Sequence, residues 1–126
     1  MLKKLLVLAS MVEMATGLGL MADPRLIVSL LLGAEVSGVG VPVARCFGVA
    51  LFALGLACWP TEPNAQTGSP AFRAMLVYNA AIALFLAYLF VAGHFGGTLL
   101  WPAVALHAAV ALLLLWTWQT VNRRRS

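Results

Sequence analysis

Four polar side chains interrupt the long apolar runs of this sequence, and they are the residues best able to do chemistry. Glu13, Arg45, Asn79 and His107 each fall in a different apolar run. A charged or strongly polar group is costly in hydrocarbon, so it normally faces a partner or a cavity inside a helix bundle. A carboxylate beside an imidazole can also titrate and bind a ligand. What these groups do therefore depends on which elements bring them together.

The composition places those elements in a membrane. The chain has 126 residues, of which 63% are hydrophobic and only 10% are charged. Soluble domains average roughly 45–50% apolar and about 25% charged residues. A soluble fold of this size could not bury so much apolar surface, so the sequence predicts one integral membrane domain over residues 1–126.

Four runs are long enough to cross a bilayer as helices, since a helical span needs about 20 apolar residues. Asp23-Pro24 ends the first run. Residues 25–35 are apolar but too short to span, which predicts an interfacial or re-entrant helix. The predicted fold is all-α, an integral membrane antiparallel four-helix bundle with this short helix between spans one and two. The four spans are predicted at about residues 5–21, 41–59, 72–92 and 99–118.

The basic residues predict the orientation of this bundle. Four spans place both termini on one side, and the opposite loops carry only Arg25. By the positive-inside rule, both termini are expected in the cytoplasm. The last three arginines are expected to bind anionic lipid headgroups there. The basic residues on the predicted cytoplasmic side are Lys3, Lys4, Arg73, Arg123, Arg124 and Arg125.

Three of the four polar side chains are expected at a similar depth. At about 1.5 Å per residue, Glu13 and Asn79 lie about 12–13 Å from the cytoplasmic edge. His107 enters from the other side and comes within about 5 Å of that level in a roughly 30 Å core. A structural interpretation is that the three satisfy one another and set the helix register. A functional interpretation is a ligand or proton site near the midplane.

Arg45 is expected closer to the outer edge, about 6–7 Å below it. Its possible partners are Glu35, after the short helix, and Glu13, about 10 Å deeper. Glu35 is favoured, so the first prediction is an ion pair that docks the outer segment onto the bundle. The alternative is an anchor for an anionic headgroup or substrate, because guanidinium suits carboxylate and phosphate.

Several other chemistries are disfavoured. Cys46 and Cys58 lie about 18 Å apart along one predicted helix, too far for a disulfide or a metal-ligand pair. His94 and His107 differ by about 12 Å or more in depth, which argues against a haem between them. The basic residues mark span ends rather than a nucleic-acid surface. The sequence contains no recognisable catalytic constellation, so a non-enzymatic protein without metal or cofactor is expected.

A set of short motifs resembles a known group. The first span ends in Asp23-Pro24, the short segment ends in Leu32-Gly33, and the second span contains Ala44-Arg45-Cys46-Phe47-Gly48 and then Leu54-Gly55-Leu56. This order resembles the DoxX-like group of small bacterial membrane proteins. The resemblance implies a four-helix fold in the bacterial inner membrane. Some members are linked to thiol or quinone redox systems, a role that the cysteines here do not suit.

Two functions are consistent with these features. The first is a non-enzymatic accessory or scaffold subunit of a membrane complex, which the short loops and the small packing residues favour. Its partner would be another membrane protein or a second copy. The alternative is a binder or carrier of a small hydrophobic or anionic molecule, such as a quinone or a lipid. The tentative ligand-binding residues are Glu13, Arg45, Asn79 and His107.

Overall fold

A computed structural model describes residues 1–62 and 65–124. The described chain is all-helical, which confirms the predicted fold class. Four helices are long and apolar enough to cross a membrane, and a nine-residue helix lies between the first two of them. The helices are α1 (Leu2–Ala22), α2 (Pro24–Leu32), α3 (Gly40–Ala57), α4 (Pro70–Gly93) and α5 (Leu100–Arg123).

The last helix extends beyond the predicted span, which ended at Trp118. α5 continues to Arg123 because no proline or glycine interrupts the polar residues that follow the apolar run. Thr120 bonds back to the carbonyl of Trp116 and keeps its hydroxyl satisfied within the helix. The apolar pattern therefore marks where hydrocarbon is favoured, whereas the helix itself ends later.

The starts of α2 and α4 are capped by side chains. Asp23 accepts a hydrogen bond from the Leu26 amide at 3.1 Å, directly before Pro24 at the first helical position. Ser69 accepts one from the Phe72 amide, also at 3.1 Å, in front of Pro70. Both starts use a short oxygen-bearing side chain followed by proline, which satisfies an otherwise unpaired amide and presets the backbone.

The closest helix packing joins α1 to α3 through glycines. A Cβ on Gly17 would lie 2.6 Å from the Gly48 carbonyl oxygen, and one on Gly48 would lie 2.7 Å from the Gly17 oxygen. One on Gly55 would lie 2.7 Å from the Ser10 oxygen. The two backbones are thus in contact at these levels. Small residues permit such close approach between membrane helices, so α1 and α3 form one tight pair.

α2 is tied to the connection between α4 and α5. The amide of Gly96 donates to the Leu32 carbonyl and that of Leu99 to the Leu30 carbonyl, each at 2.9 Å. These bonds satisfy carbonyls that the end of a helix leaves unpaired. A Cβ on Gly97 would overlap the Leu30 carbonyl oxygen, so glycine is required there. The short helix is therefore held over one end of the bundle.

The two ends of the bundle are packed differently. The end that carries both termini, called the basic end here after Lys3, Lys4, Arg73, Arg123 and Arg124, contains a closed apolar core. The opposite end, called the α2 end, has α2 packed on α1, α3 and α5. α4 packs mainly on α5, so the bundle consists of the pairs α1–α3 and α4–α5. The core residues of the basic end are Leu5, Leu6, Ala9, Cys58, Ala71, Phe72, Met75, Leu76, Val110 and Leu114.

Candidate functional site

Three of the predicted polar residues meet above the apolar core. Glu13, Asn79 and His107 are all buried, and they come from α1, α4 and α5. His107 Nδ1 lies 2.8 Å from Asn79 Oδ1 and 3.8 Å from Glu13 Oε1. The polar layer that the depth estimate predicted is present in the structure, although the role of its members is a separate question.

Asn79 fixes the orientation of His107. Its Nδ2 donates to the Met75 carbonyl of the preceding turn at 2.8 Å, which directs its Oδ1 toward His107. An amide oxygen can only accept, so His107 Nδ1 donates this bond and carries the ring proton. In the neutral ring, Nε2 is then left as an acceptor. Asn79 does not line the cavity described below, so it positions His107 from behind.

Glu13 is less completely paired. Its side chain is buried, with the residue only 1% exposed, and Oε1 accepts no hydrogen bond from the residues that the structure describes. The 3.8 Å separation from His107 Nδ1 is too long for a hydrogen bond. The Tyr78 hydroxyl interacts with the carboxyl group, yet Oε1 stays without a donor. An unsatisfied buried acceptor normally has an explanation such as a missing ligand or water.

Tyr78 is a site residue that sequence reasoning missed. Its ring packs edge-on against His107, with centroids 5.9 Å apart and an interplanar angle of 81°. The signal was a phenol next to Asn79 in the middle of an apolar run. A phenol usually finds a polar partner when it is buried, so its position beside a predicted polar layer could have suggested it.

These polar groups lie at one end of a cavity of about 490 Å³. Glu13, Tyr78 and His107 form its polar end, Thr16 adds a hydroxyl one turn from Glu13 on α1, and the rest of the wall is aliphatic or aromatic. α2 covers the cavity on the side away from the apolar core. The apolar lining includes Leu20 and Leu51, together with Ile27, Val28, Leu31, Leu32, Ala44, Phe47, Phe85, Leu86, Ala103 and Leu106.

The side of the cavity between α3 and α4 is the least covered. These two helices share little packing, because each belongs to a different helix pair. Phe47 of α3 and Phe85 of α4 both line the cavity and are about half exposed, at 46% and 54%. These two half-exposed aromatic side chains therefore lie between the interior and the surface that would face lipid on this side.

Arg45 does not take part in this arrangement. It is exposed, it does not line the cavity, and the described part of the chain contains no ion pair between Arg45 and Glu35. Ala44 faces the cavity, and one residue along a helix is a rotation of about 100°. Arg45 is therefore turned toward the outside, and the predicted docking pair is absent from the structure. Glu35 is also exposed, near Arg25 and Asp23.

The remaining sequence candidates lie apart from the cavity. Arg123 and Arg124 are at the end of α5, where a lipid headgroup could reach them, and Arg125 lies outside the described residues. Cys46 is exposed and Cys58 is buried in the apolar core, and both are free. Within residues 1–62 and 65–124, His, Cys, Asp and Glu side chains form no group of three that could hold a metal ion.

Comparison with known proteins identifies no relative. No protein-family model matches the chain, and no curated protein or solved structure matches it either. The resemblance to the DoxX-like group therefore stays a prediction from short motifs.

Proposed function

We propose that this small four-helix membrane protein binds a small, largely apolar molecule in the cavity between its two helix pairs. The observation that carries this proposal is a cavity of about 490 Å³ whose polar side chains are gathered at one end. Ligand pockets typically enclose about 300–1,000 Å³ and combine apolar walls with a few polar groups that set orientation. This arrangement also favours the binding hypothesis over the accessory-subunit hypothesis, which no feature of the structure singles out.

The proposed binding mode is narrower than the one suggested by the sequence. An anionic ligand needed Arg45, but that side chain is turned away, and no Lys or Arg is among the residues lining the cavity. Placing an anion beside Glu13 without a cation would be unfavourable. We therefore propose an uncharged or donor-bearing molecule with an apolar body, of which a lipid-soluble ring or a single lipid chain is an example.

Access from the bilayer fits the geometry of the opening. An apolar molecule is concentrated in the lipid, and the thinly covered side between α3 and α4 faces that phase. Rotation of Phe47 and Phe85 would widen this side without breaking a helix. A carrier or a binding subunit would need such a lateral opening. The ligand could then enter from the bilayer without passing through water.

Filling the cavity tests the proposal. Ala103→Phe places a large side chain among the cavity-lining residues, whereas Ala105→Phe, two residues along α5, adds the same side chain at an exposed position. We expect Ala103→Phe to lower the amount of hydrophobic molecule that copurifies with the protein in mild detergent by about tenfold or more. Ala105→Phe should retain it. Organic extraction followed by mass spectrometry measures the copurified molecules.

Thermal unfolding in the same detergent provides the control. Ala103→Phe should unfold at or above the temperature of the unsubstituted protein, because the added ring fills empty space. Equal retention by both variants, or no specific hydrophobic molecule in any preparation after exposure to native membrane lipid, would contradict the proposal.

A further inference from the structure

The unpartnered oxygen of Glu13 indicates what kind of head group the cavity accepts. Glu13 lines the cavity with its carboxyl buried, and Oε1 accepts no hydrogen bond from the described residues. A buried acceptor without a donor loses the bonds that water would have supplied. The protein retains this cost at the polar end of a largely apolar cavity.

Two neighbouring donors are already engaged, and the hydroxyl of Ser10, one turn away on α1, does not line the cavity and has no partner among the described residues. His107 Nδ1 donates to Asn79 at 2.8 Å and is held there, because Asn79 is itself anchored to the Met75 carbonyl. The Tyr78 hydroxyl already interacts with the same carboxyl group. The carboxyl can rotate about its last side-chain bond, which has a broad and roughly two-fold preference. Either oxygen can therefore meet a molecule in the cavity.

We propose that the ligand carries a hydrogen-bond-donating head, an O–H or N–H group, which donates to Glu13 at the deep end of the cavity. This inference rests on the proposed function and names the chemistry of its ligand. The apolar body extends toward α2 and the side between α3 and α4. The polar end thus lies near the middle of the bundle and the apolar end nearer the α2 end, opposite to the orientation of a lipid in the adjoining leaflet.

The cavity offers no counterion for an anionic head. No Lys or Arg among the described residues lines it, so a carboxylate or phosphate head would meet Glu13 without a cation. While the Glu13 carboxyl is ionised, it can only accept, so a head that also only accepts, such as an ether, leaves Oε1 without a donor. A donating head improves the hydrogen bonding of the ionised carboxylate.

Matched probes test this directly in the intact protein. We suggest four molecules that share one alkyl chain with a photoactivated diazirine and end in a hydroxyl, a methyl ether, a carboxylate or an amine. The protein is placed in nanodiscs of phosphatidylethanolamine and phosphatidylglycerol, irradiated with each probe, and digested for mass spectrometry. Labelling of cavity-lining residues is compared with labelling of exposed residues on α4, such as Leu84 and Val91.

The alcohol should label the cavity at about tenfold lower concentration than the ether, which corresponds to one net hydrogen bond to a strongly accepting group. The carboxylate should fail to label it at concentrations where the alcohol saturates. The amine carries a cationic donor head, so comparing its labelling of the cavity with that of the alcohol shows which of the two donor heads the site prefers. All four should label the exposed residues of α4 according to their partitioning into lipid.

A Glu13→Leu variant supplies the second arm. In this variant, labelling of the cavity by the alcohol should fall to the level seen with the ether, while labelling by the ether itself stays unchanged. Thermal unfolding checks that this variant is folded, since it removes an unsatisfied buried acceptor and also the carboxyl group with which the Tyr78 hydroxyl interacts. The comparison of probes on the unsubstituted protein needs no variant, so it remains decisive if Glu13→Leu fails to fold.

The outcomes separate the inference from the function on which it rests. Equal cavity labelling by alcohol and ether, abolished in both cases by Ala103→Phe, would overturn the donor head and leave the hydrophobic binding site standing. Stronger labelling by the carboxylate than by the alcohol would also overturn it. Absence of cavity labelling by all four probes would reject the proposed function as well.

Discussion

At the scale of single residues, the polar layer divides into a bond between two helices and a part that lines the cavity. His107 Nε2 is left as an acceptor, whereas its Nδ1 and the Asn79 amide have protein partners. Glu13 and Tyr78 face the cavity, and one Glu13 oxygen has none among the described residues. The structural interpretation therefore describes the Asn79–His107 bond, and the functional interpretation stays a proposal for Glu13 and Tyr78.

Replacing Asn79 separates these roles. Asn79→Leu should lower the free energy of unfolding by about 1–2 kcal/mol, because His107 Nδ1–H is left buried without an acceptor. The double variant with His107→Leu should recover most of that loss, since both partners are then apolar. Circular dichroism during unfolding by increasing SDS in mixed micelles gives the free energy of unfolding of each single variant and of the double variant, which together form a double-mutant cycle. Additive losses would show that the bond contributes nothing between the two helices.

At the scale of helices, each pair is held together in its own way. α1 and α3 approach until backbone meets backbone at Gly17, Gly48 and Gly55. α4 and α5 are joined by a short turn, and they carry the Asn79–His107 bond between them. α2 bonds to the turn of the second pair and packs on the first. It therefore connects the pairs where the cavity keeps them apart.

The backbone contact between α1 and α3 makes a specific prediction. Gly17→Ala should destabilise the protein by about 1–3 kcal/mol, because its new methyl would meet the backbone of α3, which cannot move alone. Gly19→Ala is the matched control on the same helix. Its methyl would meet only the end of the flexible Ile27 side chain, at 3.0 Å. SDS unfolding of both variants checks the difference, and equal losses would contradict the close crossing.

At the scale of the whole molecule, the bundle exposes most of its apolar surface. Between 17% and 39% of the residues in the membrane-crossing windows are buried inside the protein. The rest are partly or fully exposed, as expected for a small bundle in lipid. The start of α1, the end of α3 and the end of α5 lie at the basic end, and we expect that end in the cytoplasm by the positive-inside rule.

Cysteine labelling checks this orientation. In a Cys46→Ala, Cys58→Ala background, Ser37→Cys marks the α2 end and Glu62→Cys marks the basic end, and both native side chains are exposed. A membrane-impermeant maleimide added to intact bacterial spheroplasts should label Ser37→Cys alone. Permeabilised cells should label both. Labelling of Glu62→Cys from outside would show that the orientation is the opposite one, and it would not affect the description of the fold.

The sequence by itself determined the helices and the levels of their polar groups. Apolar runs of membrane-spanning length and Asp23-Pro24 predict the helical architecture, because hydrocarbon excludes other backbone conformations. The shared depth of Glu13, Asn79 and His107 follows from the fixed rise per residue of a helix. Both arguments need only distance along the chain.

Only the tertiary structure decided which sides of the helices face each other. Arg45 was expected to dock the outer segment, but the rotation of α3 is set by its glycine contacts with α1, and that rotation turns Arg45 outward. The cavity exists because the pairs α1–α3 and α4–α5 separate at the α2 end. The same separation places Tyr78 in the cavity wall and leaves one oxygen of Glu13 without a partner among the described residues. Depth is a property of one helix, whereas rotation and separation are properties of several helices packed together.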